Sequence, residues 1–322
     1  MKKALLTGIT GQDGAYLAQL LLKKNYKVFG LVRPESKLSI KNLEYLGIKD
    51  QVEFVEGDLA NENSLIDAVK QIKPDEVYNL AAQSFVGNSW KIPVETAEVN
   101  AMGTLKLLNA VKIFSPESKY YQATTSEIFG EPLKKGIHDE ETPFKPKSPY
   151  AISKLFAYWI VHTYKVSFDM FAVNGILFNH ESPLRGEEFV TRKISQGVAR
   201  IKLGLSDSIS LGNLESRRDW GFAGDYVEAM WLMLQQEKPD NFIISTGETH
   251  SIRDFLDTAF KYVGIDDWQP YVIQDPKFMR PVELNVLQGS NSKAKKVLGW
   301  QTKVKFHELV EMMVEADLKR LK

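Results

Sequence analysis

The first half of the chain alternates short apolar runs with longer stretches of helical period. Ala4-Leu5-Leu6 runs straight into glycines, and residues 14–24 then place Tyr16, Leu17, Leu20 and Leu21 on one helical face. Apolar runs recur at Val28 to Val32, Val52 to Val55, Glu76 to Leu80, Tyr120 to Ala123 and Phe171 to Phe178, with helical stretches between them, notably at about 92–114 and 149–166. Strands alternating with helices in this way predict right-handed crossovers and a parallel, doubly wound α/β sheet. Past Phe178 the rhythm breaks. Residues 179–188 (NHESPLRGEE) are polar and turn-rich, and helices are predicted at about 189–203, 225–235, 251–263 and 305–320, with short strands between them. This second pattern reads as a smaller α/β part, partly interleaved with the sheet.

A chain of 322 residues is longer than one ordinary domain needs. Basic and acidic residues balance at 41 each, so no global charge draws the protein to nucleic acid or an anionic membrane, while a local basic pocket for a phosphorylated ligand stays open. The lack of cysteine excludes disulfides, thiolate metal sites and a cysteine nucleophile, and is compatible with the cytoplasmic location expected. The first apolar run is too short for the core of a signal peptide and reads as a strand, and no run approaches the ~20 residues that span a bilayer.

The first strand leads into Thr7-Gly8-Ile9-Thr10-Gly11-Gln12-Asp13-Gly14, a G-x-x-G-x-x-G turn that opens a helix. Glycine permits positive φ and lets backbone N–H groups close on a pyrophosphate at the helix N-terminus, which makes Gly8, Thr10, Gly11, Gln12, Asp13 and Gly14 the candidate dinucleotide cradle. At the end of the second strand an acidic residue suits NAD; Arg33 stands there, with Ser36 and Lys37 close by, and a cation suits the 2′-phosphate of NADP. Read blandly, Arg33 is a solvated loop residue, and Glu35 keeps NAD open. Leu80, Ala81, Ala82, Gln83 and Ser84 follow the fourth strand, where small side chains let the backbone pass close to a cofactor ribose.

Tyr150-Ala151-Ile152-Ser153-Lys154 is Y-x-x-x-K, and on a helix its ends share one face. A lysine ammonium beside a phenol is expected to lower the phenol pKa and make Tyr150 a usable base towards a sugar hydroxyl, while Lys154 also holds the nicotinamide ribose. Thr125, Ser126 and Glu127 end the fifth strand, and ligands of an open α/β sheet sit beyond the carboxyl ends of its strands, so all three point at the same crevice as Tyr150. Glu127 is the informative extra. A C4 dehydrogenase or epimerase needs no second base, whereas loss of water does, and one carboxylate in a partly apolar site can take one proton and deliver another. As a helix N-terminal charge, Glu127 has a purely structural alternative.

These stretches resemble the GDP-mannose 4,6-dehydratases, extended short-chain dehydrogenases with a Rossmann sheet, and the match covers most of the chain. GITGQDG at 8–14, LAAQS at 80–84, TSE at 125–127, YAISK at 150–154, RDW at 218–220 and RPVE at 280–283 follow the family pattern, and NHESP-x-RGEEFVTRKI at 179–194 is its most particular signature. The resemblance implies that Asp58 and Leu59 contact the adenine and that His180 and Arg185 contact the cofactor end. It implies that Ser84, Asn179 and Val190 lie on the substrate side, that Lys193, Arg218 and Arg280 meet the GDP phosphates, and that Glu283 meets the ribose. It also implies an NADP-binding domain over 1–178, joined by about 215–247, and a nucleotide-sugar domain over 179–214 and 248–322. In the reaction so implied, Tyr150 takes the C4 hydroxyl proton as hydride passes to NADP⁺, Glu127 removes the C5 proton, water leaves from C6, and hydride returns to C6.

Three departures stand out. Leu184 replaces an arginine common in the family, and the loop from Arg33 to Asn42 is shorter and less basic than usual, so a dimer competes with the family's tetramer as the expected homo-oligomer. The segment Phe85 to Trp90 also differs, near where the sugar should sit, which admits a GDP-heptose beside GDP-mannose. Two other readings use the same scaffold: a GDP-sugar 4-reductase or epimerase that relies on Tyr150 without Glu127, and a non-catalytic NADP-sensing protein, against which the intact Tyr150 and Lys154 argue.

Overall fold

The computed structural model describes residues 1–33, 40–130, 136–278 and 286–322. Seven strands make one all-parallel sheet: β1 (Lys3–Thr7), β2 (Lys27–Val32), β3 (Glu53–Glu56), β4 (Glu76–Asn79), β5 (Lys119–Thr125), β6 (Ala172–Leu177) and β7 (Phe242–Ile244), in the order β7-β6-β5-β4-β1-β2-β3. The longer helices are α1 (Gln12–Lys23), α2 (Glu62–Ile72), α3 (Gly103–Phe114), α4 (Pro149–Phe168), α5 (Val190–Lys202), α6 (Ala223–Leu234), α7 (Ile252–Tyr262) and α8 (Phe306–Leu321).

The strand sequences explain the layering. Ala4, Leu5 and Leu6 of β1 are all fully buried, as a central parallel strand covered on both faces requires. Ala4 and Leu6 pack with Leu17 and Leu21 of α1 and with Tyr226 and Met230 of α6. Leu5, pointing the other way, packs with Leu65 and Val69 of α2 and Leu107 and Val111 of α3. The doubly wound parallel sheet read from the sequence is therefore the observed one, and β7, beyond the six apolar runs, joins it alongside β6. The strand order reverses between β1 and β4, which opens a crevice at their carboxyl ends.

The single helix expected over about 92–114 is interrupted. A short helix Pro93–Ala97 continues through a π-helical stretch Glu98–Met102 into α3. The extra residue of a π turn commonly marks a functional position, and here it carries Asn100.

The rest of the chain packs α5, α7 and α8 through Ile194, Val198, Phe255, Phe260, Val310 and Met313. Short paired strands connect them: Asn179–Glu181 lies parallel to Trp220–Phe222, and Arg217–Arg218 lies between His250–Ser251 and Val286–Gly289. Among the described residues no helix is long and apolar enough to cross a membrane.

Gly14 shows how tightly α1 sits on the turn after β1: a Cβ there would lie 2.5 Å from Ile9 Cα and overlap the Gly8 carbonyl oxygen. Backbone cannot move aside as a flexible side chain does, so Gly14→Ala is expected to cost about 3 kcal/mol, the upper part of the overpacking range. Chemical denaturation checks this; an unchanged midpoint with an unchanged slope would refute it.

Candidate active site

A cleft of about 530 Å³ opens at the carboxyl ends of β1, β4, β5 and β6, lined by residues from each of the turns that follow them. Gly8, at φ +69°, begins its floor, and a Cβ on Gly8 would lie 2.8 Å from the Ala81 nitrogen. The two turns are also tied by Thr7, whose Oγ1 accepts from the N–H groups of Leu80 (3.1 Å) and Ala81 (3.0 Å) and donates to Asn79 (2.7 Å). Gly11 caps α1 with no side-chain hydrogen bond, so the N–H groups of that first turn keep their anion-binding capacity beside the cleft. This glycine-lined cradle, closed to any side chain at Gly8, fits a dinucleotide pyrophosphate.

The structure brings most of the expected residues to this one cleft. Gly8, Thr10, Gly11, Gln12, Asp13, Gly14, Arg33, Asp58, Leu59, Leu80, Ala81, Ala82, Gln83, Ser84, Thr125, Ser126, Glu127, Tyr150, Lys154, Asn179, His180, Arg185 and Arg218 all line it. Val190 and Lys193 begin α5 and are not among the lining residues; Lys193 Nζ instead lies 3.4 Å over the ring of Phe278. Arg280 and Glu283, with Glu35, Ser36 and Lys37, lie outside the described residues. Leu184 is buried in the core beside the turn rather than presented to solvent.

The chemistry of Tyr150 differs from the expectation. Its phenol is buried, and burial pushes its pKa up to about 12, with a hydrogen bond to Thr125 working the other way. Lys154 is directed elsewhere: its Nζ donates to the Ala123 carbonyl at 2.9 Å, and burial pulls it down to about 8. Thr125, with the charge of Arg185 after it, rather than Lys154, therefore favours the phenolate, while the charge of Glu127 opposes it. The same Thr125 Oγ1 accepts from the Glu127 N–H at 3.3 Å and caps the turn Ser126–Ile128, which sets Glu127 beside the phenol.

His180 and Asp13 form the second charged unit. Nδ1 of His180 is 2.7 Å from the Phe178 carbonyl and Nε2 is 2.8 Å from the Asp13 carboxylate. Both partners only accept, so the geometry calls for the doubly protonated imidazolium. Burial alone pulls His180 down, but Asp13 overrides it and leaves the imidazole above its ordinary value. Burial likewise pushes Asp13 up, and the charge of His180 overrides that, leaving the carboxyl below its ordinary range. The ring stacks on Tyr226 with centroids 4.7 Å apart.

Several contacts around the cleft were not legible in the sequence. Phe85 and Phe189 meet edge to face at 5.8 Å, and Arg185 lies 3.5 Å over Phe189, forming a wall of the cleft. Asn100, in the π turn, bonds both backbone groups of Gln83 (2.9 and 3.1 Å) and the hydroxyl of Ser153 (3.1 Å), which locks the strand-4 turn to the helix bearing Tyr150. Asn100 is not among the residues singled out from the sequence; an asparagine within the apolar pattern of the helix expected over about 92–114 is the one signal that could have found it.

A raised histidine and a lowered carboxylate stabilise the fold between their two titrations. The contribution is full between pH ~4, the unfolded carboxylate value, and pH ~6.5, the unfolded histidine value; it is lost as pH rises through the higher folded histidine value and as pH falls through the lower folded carboxylate value. Asp13→Asn is thus expected to lower stability by about 1.5–3 kcal/mol just below the unfolded histidine value, the worth of a charge-assisted hydrogen bond, with the gap to the unsubstituted protein narrowing in alkali. Denaturation across a pH series tests this; a gap that stays constant into alkali would refute it.

With this geometry in place, the chain can be compared with known proteins. The GDP-mannose 4,6 dehydratase family matches residues 5–313. GDP-mannose 4,6 dehydratase 1 of Arabidopsis thaliana is 50% identical over 100% of this chain and 91% of its own length. The GDP-mannose 4,6-dehydratase of Yersinia enterocolitica is 45% identical over 100% of this chain and 95% of its own. Among solved structures, RMD of Pseudomonas aeruginosa complexed with NADPH shares the fold at a TM-score of 0.83, with 23% identity over 99% of this chain and 100% of that one. The chain belongs to the GDP-mannose 4,6-dehydratase family, hydro-lyases built on the short-chain dehydrogenase fold.

Proposed function

We propose that this cleft converts GDP-mannose, or a close GDP-manno sugar such as a GDP-heptose, to the 4-keto-6-deoxy sugar. The observation that carries the reading is the meeting of Tyr150, Thr125 and Glu127 beside a glycine cradle in one cleft. Bound NADP would supply a reversible hydride acceptor, held by the turn Gly8 to Gly14, by Leu80 to Ser84 and by Lys154, with Arg33 and Asp58 at the adenosine end and His180 and Arg185 along the cleft. Arg33 is the support for NADP over NAD, since guanidinium matches the 2′-phosphate.

Tyr150 holds the proton relay to the C4 hydroxyl. A phenol at about 12 is protonated at rest, so its hydrogen-bond partner Thr125 and the charge of Arg185 must stabilise the charge that develops as the proton moves. Glu127 then takes the C5 proton made acidic by the 4-ketone and gives a proton to the departing C6 hydroxyl. Arg218 lines the same cleft and suits a diphosphate, with Lys193, Arg280 and Glu283 assigned to the nucleotide by the same reading and Asn179, Ser84 and Val190 to the sugar side. The division into an NADP-binding part, 1–178 with 215–247, and a sugar-nucleotide part belongs to this reading too. So does association of identical chains, supported by Ile152, Phe156 and Trp159, exposed one turn apart along α4.

Incubation with GDP-mannose and catalytic NADP⁺, followed by mass spectrometry, tests the reading. Loss of one water without accumulation of reduced dinucleotide is expected. Net consumption of NADPH would indicate a reductase instead, and inversion without water loss an epimerase. Glu127→Gln should slow water loss by about 10²-fold or more while C4 oxidation continues, seen as reduced dinucleotide in the near ultraviolet. Normal dehydration by that variant would remove Glu127 from its role. Arg33→Ala should weaken NADP⁺ about tenfold, as loss of a charged hydrogen bond does, and leave NAD⁺ unaffected; equal losses would refute the 2′-phosphate assignment.

A further inference from the structure

The stretch 179–194 holds more buried charge than the cleft itself uses. Arg192, in the first turn of α5, is 7% exposed, and its partner Asp317, in α8, is 1% exposed. Arg192 Nε and Nη2 reach the two carboxylate oxygens at 3.0 and 2.6 Å, and Ser195 Oγ donates to the same carboxylate at 2.7 Å. The remaining edge of the guanidinium points the other way: Nη1 donates to the carbonyls of Pro183 (2.9 Å) and Arg185 (3.0 Å). Thr191, one residue earlier, donates to Glu181 at 2.6 Å, and Glu181 forms the ion pair with Arg185 at 3.0 Å.

Two consecutive residues of α5 thus grip both ends of one turn. Thr191 fixes the carboxylate that holds the Arg185 guanidinium, and Arg192 fixes the carbonyl of Arg185 itself. A buried ion pair is a poor stabiliser compared with apolar packing of the same volume, because desolvating two charges offsets their attraction. A planar fork that ties a carboxylate on one helix to two carbonyls of one turn supplies position instead.

We propose that Arg192, backed by Asp317 and Ser195, is a positioning residue: it sets where Arg185 stands in the cleft and so couples the C-terminal helix to the dinucleotide. The inference rests on the reading of Arg185 as a dinucleotide contact. A double-mutant cycle with Arg185→Ala and Arg192→Lys tests it, with NADP⁺ affinity read by quenching of tryptophan fluorescence and GDP affinity measured in parallel. Lysine keeps a cation for Asp317 but cannot serve the carboxylate and both carbonyls. Arg192→Lys alone is expected to weaken NADP⁺ roughly tenfold, which is 1.4 kcal/mol. In the R185A background it should weaken NADP⁺ no further, because neighbours acting through one contact are not additive. GDP affinity should hold within about twofold.

Multiplying losses in the double variant would mean that Arg192 serves the fold at large, and would overturn the proposal. So would an unchanged affinity in R192K when R185A is weakened. If R185A itself binds NADP⁺ normally, the reading of Arg185 fails and the inference falls with it, a result distinct from the other two. Should R192K not fold, Ser195→Ala loosens Asp317 more gently; it should weaken NADP⁺ measurably alone and not at all in the R185A background, and equal weakening in both would overturn the proposal.

Discussion

The cleft depends on how closely two backbone turns approach one another. Gly8, at the end of β1, lies against the Ala81 backbone at the end of β4 with no room for a side chain between them, and Thr7 bonds across the same gap. Because β1 and β4 are the neighbours at which the strand order reverses, their following turns diverge to opposite faces and leave a crevice between them. Helix α1 then starts at the crevice with its N–H groups free of side-chain caps. Anion binding, the placement of Leu80 to Ser84 and the path of Tyr150 over the cleft follow from this one contact.

Around it the protein buries several charges in opposed pairs. Asp13 faces His180, Glu181 faces Arg185, and Arg192 faces Asp317. Asp219 is fully buried and is met by hydrogen-bond donors: it accepts from the N–H and hydroxyl of Thr246 (both 2.7 Å) and from the N–H of Gly247 (3.0 Å), with burial pushing its pKa up to about 6. That arrangement ties the strand carrying Arg218 to the loop after β7. Unpaired charge at low dielectric is costly, so each of these groups also fixes the geometry of its neighbours.

The same burial governs the acid–base groups. Removing Tyr150 from water raises it more than its hydrogen bond to Thr125 lowers it, and the same Thr125 hydroxyl is held in turn by the Glu127 N–H. The Phe85–Phe189–Arg185 wall closes another side of the cleft, and Phe85 begins the segment in which this chain departs from the common family form.

By itself the sequence determined the sheet, the glycine turn and the Y-x-x-x-K pair, because each is written in local spacing: alternating apolar runs, glycines three apart, and two residues one helical turn apart. It also carried the family signature at 179–194, though not what Glu181, Thr191 and Arg192 do within it. Tertiary structure alone decided the rest. Arg192 and Asp317 are 125 residues apart, and Asp13 and His180 are 167 apart. Their pairing exists only once α5, α8 and the turn after β6 are packed together. It decided that Lys154 bonds a carbonyl rather than the phenol, and that Lys193 lies on Phe278 outside the cleft lining. Contacts between distant residues, and the desolvation that sets a pKa, depend on which surfaces are removed from water together, and no local pattern records that.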